Sequence, residues 1–125
     1  MATQASVTDP PSTMPAAAPV EPAIDVQHLS RMTLGERSLE REVLSLFDRQ
    51  VEILLPRIRQ GAPAAAAALA HTLKGSALGI GAWQVARAAE AVEQAKNGAL
   101  AAAVDALGAA VIATKAEIAR LLRAH

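Results

Sequence analysis

Seven residues near the end of the chain, Leu100, Val104, Leu107, Val111, Thr114, Ile118 and Leu121, recur in alternating steps of four and three. That spacing returns to one side of an α-helix at every turn. Sustained over so many turns, it fits a helix with one buried stripe and no other regular structure. The helix is predicted over residues 99–123. Thr114 is the only polar member of the stripe, and its hydroxyl is expected to bond back to a carbonyl one turn earlier. Gly108 flanks the stripe, and close packing against another helix would give it a reason.

The same period runs upstream to Asp25. A short helix fits residues 25–32, with Asp25 as its N-cap and Gly35 as its interruption. A long helix fits 36–60, with Leu39, Val43, Phe47, Val51, Leu54 and Ile58 facing inward. Pro56 removes a backbone donor inside it and is expected to kink it. Gly61 and Pro63 then read as a stop followed by a start. A third helix is predicted over 63–78, with its end marked by Gly79 and Gly81. A fourth fits 82–96 through Val85, Ala88, Ala89 and Val92, and Asn97-Gly98 stops it. No strand period and no internal repeat interrupts this pattern. Four amphipathic helices joined by short turns predict an all-α, antiparallel up-down four-helix bundle with a short additional N-terminal helix.

Composition agrees. The chain is 52% hydrophobic, yet Trp83 and Phe47 are its only aromatic residues, so alanine, leucine and valine must fill the core. That choice favours helices over sheets. Twelve basic residues balance twelve acidic ones, so no basic excess points to nucleic acid or to an anionic membrane. The absence of cysteine excludes disulfides and thiol chemistry. Residues 1–24 hold five of the seven prolines and show no period, so they are expected to be a disordered Pro/Ala-rich tail, with the folded domain over 25–125. No basic region followed by an apolar run opens the chain, and no run of about 20 apolar residues exists, so neither a secretory leader nor a membrane span is expected. The expected compartment is cytoplasmic.

The segment Ala70-His71-Thr72-Leu73-Lys74-Gly75-Ser76 stands out within the third helix. On a helical wheel Ala66, Leu69, Leu73 and Ala77 gather on one side, with Ser76 at its edge. His71 lies roughly opposite, toward water. The residues near it on that face are Ala67, Ala68, Lys74, Gly75 and, two turns on, Leu78. Small side chains would leave the imidazole above a low surface that a protein partner can approach. Glycine in a helix interior costs about 1 kcal/mol relative to alanine, so Gly75 needs a reason, and access to His71 supplies one. Much of a free imidazole is unprotonated near neutral pH and can attack an electrophilic phosphoryl group. Lys74, one turn on, places an ammonium where an anion on the ring would need charge compensation.

At these residues the sequence resembles the histidine-containing phosphotransfer (HPt) domains of bacterial two-component phosphorelays. The family pattern is a histidine, a small or polar residue, an aliphatic, lysine, glycine, then serine or alanine; here it reads His71-Thr72-Leu73-Lys74-Gly75-Ser76. The resemblance covers roughly residues 25–123. It implies a four-helix bundle with His71 as phosphoacceptor, Lys74 assisting at the phosphoryl group, and Gly75 giving the partner room. It implies that donor and acceptor are aspartates on receiver domains, of response regulators and of a hybrid sensor kinase, and that Mg²⁺ comes with the receiver. Such domains have no ATP site, and this chain shows no Gly-rich phosphate loop; Gly79-x-Gly81 fits a turn.

The expected function is therefore that of a stoichiometric phosphorelay intermediate rather than an enzyme. His71 would accept a phosphoryl group from one receiver aspartate and pass it to another. Binding would be weak, through a patch around His71 with Ala67, Ala68, Gly75, Leu78 and Met32, and the chain is expected to be a monomer. The alternative is a helical binding module that sequesters a receiver or kinase without transfer. A hydrolase using His71 as general base lacks a second catalytic group. His28 and His125 are expected to be surface residues. The histidines are too widely spaced for a metal site. Glu90 and Glu93 read as a solvated face, Ser76 forms no triad, Trp83 packs the start of its helix, and Phe47 belongs to the core.

Overall fold

A computed structural model describes residues 21–124. Five helices follow one another: α1 (Val26–Met32), α2 (Arg37–Gln60), α3 (Pro63–Ile80), α4 (Trp83–Gln94) and α5 (Leu100–Ala124). Each long helix packs on its neighbours in order, and α5 closes the ring against α2. The links between the long helices are too short for anything but a reversal of direction, so α2–α5 form an up-down bundle. The predicted architecture is the observed one. α1 packs against α3.

The stripe on α5 is buried as predicted from Val104 to Leu121. Phe47, Val51, Leu54 and Ile58 face the core from α2. At the start of α2 the seam differs: Leu44 is fully buried, whereas Leu39 and Val43 are only partly covered. Pro56 leaves α2 continuous to Gln60. Gly108 is buried because the Arg59 guanidinium from α2 lies where a β-carbon would stand. Thr114 is fully buried, but its hydroxyl has no hydrogen-bond partner among the described residues. The expected bond to the preceding turn is not made, and the residue holds its place by shape alone.

The end of α3 also differs from expectation. Gly79 stays inside the helix, and Gly81 terminates it at a φ of +81°. A neighbour decides between the two glycines. Asp25 N–H donates to the Gly81 carbonyl across 2.9 Å, and a β-carbon at Gly81 would stand 2.9 Å from the Asp25 carbonyl oxygen. Asp25 caps α1 as predicted, its carboxylate accepting from His28 N–H at 3.1 Å and from Trp83 Nε1–H at 3.1 Å. Bonding to the His28 amide, then to Trp83, holds this carboxyl below the usual aspartate range.

The folded unit begins before the expected boundary at residue 25. Ile24 is buried in the core, the Glu21 carbonyl accepts from Gln84 Nε2 at 2.8 Å, and the Glu21 carboxylate pairs with Arg87. These contacts tie residues 21–24 to α4, while the rest of the expected tail lies outside the described residues. No helix among the described residues is long and apolar enough to cross a membrane.

Candidate functional site

His71 sits mid-way along α3 with its side chain 69% exposed. The helix turns Ala66, Ala70, Leu73 and Ala77 fully into the core, so the opposite face must meet solvent. Along that face Ala68, Gly75 and Leu78 are exposed and Ala67 is half-buried. A β-carbon added at Gly75 would meet nothing within 4 Å. Nothing among the described residues therefore requires glycine there. Met32 of α1 is also exposed, in the helix that packs on α3.

A carboxylate from the neighbouring helix completes the site. His71 Nδ1 lies 2.7 Å from Glu93 Oε2. An ionised carboxylate only accepts, so Nδ1 is the donor, and in the neutral ring the lone pair then belongs to Nε2. Lys74 Nζ lies 3.0 Å from Oε1 of the same carboxylate, within ion-pair range though off the angle of a hydrogen bond. The Lys74 ammonium first, and His71 with it, holds the half-buried Glu93 carboxyl below the ordinary glutamate range against the opposing effect of burial. Lys74 is thus brought beside His71 as predicted, but it rests on Glu93 instead of standing free in solvent.

Glu93 is the residue that sequence reasoning missed. Reading it with Glu90 as a solvated face holds for Glu90, which is exposed and accepts from Gln94 Nε2 at 3.2 Å, but fails for Glu93. Two signals were present. His71 and Glu93 are equidistant in sequence from Ala82, so a hairpin of helices turning there sets them at one level. Glu93 also lies in the last turn of α4, where exposed carbonyls disfavour a negative charge and no basic residue of that turn offsets it. An acid placed there needs a cation from elsewhere, and α3 supplies it.

The other sequence candidates take structural places. His28 ties α1 to the end of α3: its Nε2 donates to the Leu78 carbonyl across 3.0 Å, and its ring meets Trp83 edge-on with centroids 4.8 Å apart. It is more than an idle surface residue, while His125 lies outside the described residues. Trp83 packs the start of α4 as expected. Ser76 has no part in the His71 cluster. Among the described residues no three His, Cys, Asp or Glu side chains gather to hold a metal ion.

Comparison with curated proteins finds no match, and comparison with solved structures finds none either. A family model described as the Hpt domain matches residues 38–124, which take in α3, α4, α5 and all but the first residue of α2. Hpt domains carry phosphoryl groups on histidine in phosphorelays, interact with receiver domains, and have no ATP site of their own. A match spanning the whole bundle and including the helix with its exposed imidazole decides the matter: the chain belongs to the Hpt domain family.

Proposed function

We propose that this chain is a phosphorelay intermediate that takes a phosphoryl group from a receiver-domain aspartate onto His71 Nε2 and yields it to a second receiver aspartate. The observation that carries this reading is the 2.7 Å approach of His71 Nδ1 to the Glu93 carboxylate, on a ring that is otherwise open to solvent. In the forward step the Nε2 lone pair attacks the phosphorus of the aspartyl phosphate. The N–P bond forms as the bond from phosphorus to the aspartate oxygen breaks, and that carboxylate leaves with the electron pair. The ring then bears positive charge, which the Glu93 carboxylate offsets through Nδ1–H. In the return step a carboxylate of the second receiver attacks phosphorus and Nε2 leaves with its pair. No proton needs to move in either direction.

Lys74 is one turn along the helix and is the cation best placed to compensate the phosphoryl oxygens once the ring carries them. Gly75, Ala68, Ala67 and Leu78 supply the low, partly apolar docking face, with Met32 at its border. Mg²⁺ enters with the receiver, which also supplies the acidic pocket around its own aspartate. The relevant compartment is the cytoplasm, where receiver domains work.

The test is incubation of the chain with a labelled, phosphorylated receiver domain. Wild type should acquire acid-labile label that maps to His71, while a His71→Gln variant should acquire none and still bind the receiver. Should wild type bind receivers yet take no label from any of them, the chain would be a sequestering module, and transfer would be the wrong reading.

A further inference from the structure

α2 carries a second seam on its flank, at the edge of the core beside α3. Leu39, Leu46 and Ile53 recur every seven residues, with Val43 and Gln50 beside them. Leu46 is 50% and Ile53 56% exposed, and together with Val43 and Gln50 they line an open apolar groove between α2 and α3. Ile112 on α5, by contrast, is exposed without such an apolar partner at helical spacing. An apolar stripe of this length on a surface helix marks an association site.

The charges of α2 say what covers it. Arg41 bonds the Leu122 carbonyl, Asp48 and Glu52 hold Lys115, and Arg59 pairs with Asp105. Glu42, Arg49 and Arg57, which border the outer seam, have no partner among the described residues. Glu42 and Arg57 are spaced to complement each other across two copies. When a second α2 lies antiparallel, with Leu46 opposite Ile53, Glu42 falls opposite Arg57 and Arg49 opposite Gln50. A two-fold axis makes each of these contacts twice. The parallel arrangement would set Glu42 against Glu42 and Arg57 against Arg57.

We infer that the outer face of α2 is a homodimer interface in which two copies of this chain pair their α2 helices antiparallel about an axis between Arg49 and Gln50. The sequence alone suggested a monomer; the matched charges argue for a second copy. The interface is one helix face wide, so the association is reversible and concentration-dependent. His71 projects from α3 toward α4 and lies outside the paired helices.

The experiment is sedimentation equilibrium of the full chain over a wide concentration range. Wild type should move from monomer to twice that mass as concentration rises, and added salt should weaken the association. Leu46→Lys, at a half-exposed position, should abolish the dimer with the helical circular dichroism unchanged. Glu42→Arg turns two ion pairs into two repulsions and should weaken dimerisation on the order of tenfold. Adding Arg57→Glu to it should restore the wild-type constant, which only the antiparallel register allows. A chain that stays monomeric at the highest concentration overturns the inference. So does a dimer that the double charge exchange fails to rescue. A monomer whose receiver binding is lost in Leu46→Lys would instead assign the groove to the receiver, and the dimer would be wrong.

Discussion

Gly75→Ala separates the needs of the fold from the needs of the site. In the folded chain the added methyl group would find no heavy atom within 4 Å. The substitution therefore adds no clash, and only the helix propensity changes. Glycine inside a helix is less favourable than alanine by about 0.5–1 kcal/mol, so the variant should be more stable by that amount. For a domain of this size that corresponds to a rise in melting temperature of about 2–5 °C. Receiver-dependent transfer should move the other way. Gly75 lies on the face of His71, and in the proposed relay the incoming domain brings its aspartyl phosphate to Nε2 across that surface. Overfilling a close-fitting contact costs about 1–3 kcal/mol, so kcat/KM for transfer should fall by roughly fivefold to a hundredfold in Gly75→Ala and further in Gly75→Leu. Phosphorylation by a small donor such as phosphoramidate should stay within about twofold of wild type, since it needs no docking face. Paired melting curves and the two transfer assays check this. Loss of stability in the alanine variant, or normal receiver transfer in the leucine variant, would refute the reasoning.

Glu93→Gln should slow transfer by about tenfold to a hundredfold, by analogy with other residues that orient a reactive imidazole, and should leave KM for the receiver unchanged. The same substitution has a pH signature. The Glu93 carboxyl is held below its ordinary range by Lys74 and then His71, so its contribution to stability is complete above the unfolded glutamate value. It is lost as pH falls through the lower folded value. Urea midpoints measured from neutral pH to below about pH 4 should therefore fall less steeply in the variant than in wild type. Thr114→Val should stabilise the bundle by about 1 kcal/mol in urea unfolding, because the buried hydroxyl it removes has no partner. Gly81→Ala should destabilise by about 1–3 kcal/mol in the same assay, since its backbone is left-handed and its β-carbon would press on the Asp25 carbonyl.

What the residues disclose by themselves follows from the range of the forces involved. The seam of α5 and the inner face of α2 from Phe47 onward were legible because burial imposes a period on the chain itself. The caps were legible where the local sequence carries the whole cause, as at Asp25 and at Gly61 with Pro63. Asn97 and Gly98 do take positive φ in the turn before α5, but α4 stops short of them, at Gln94 with Ala95 as its C-cap, rather than at the expected residue 96. The choice of Gly81 over Gly79 as the end of α3 was not local. It depends on Asp25, which arrives from the far side of α1. Burial of Ile24 inside a proline-rich stretch was hidden for the same reason. Thr114 shows the converse: a bond that helix geometry permits is not made in the packed seam. In the site itself, His71, Lys74 and Gly75 share one helix and could be read from spacing, while Glu93 belongs to another helix and needed the hairpin register.

That register explains why α3 is so rich in alanine. A glutamate is short, and its carboxylate reaches the His71 ring at 2.7 Å only if the backbones of α3 and α4 run close together. Ala66, Ala70 and Ala77 on α3 and Ala86 and Ala89 on α4 are all buried, and small residues are what permit such an approach. Larger side chains would bury more apolar surface and favour the fold, but they would widen the gap and leave Nδ1 to water. Either ring nitrogen could then carry the proton. With Nδ1–H held by Glu93, a neutral ring keeps its lone pair on Nε2, where the proposed relay has the receiver meet it. The alanine content of α3 and the reactivity proposed for His71 thus have one cause, which is the closeness of two helices.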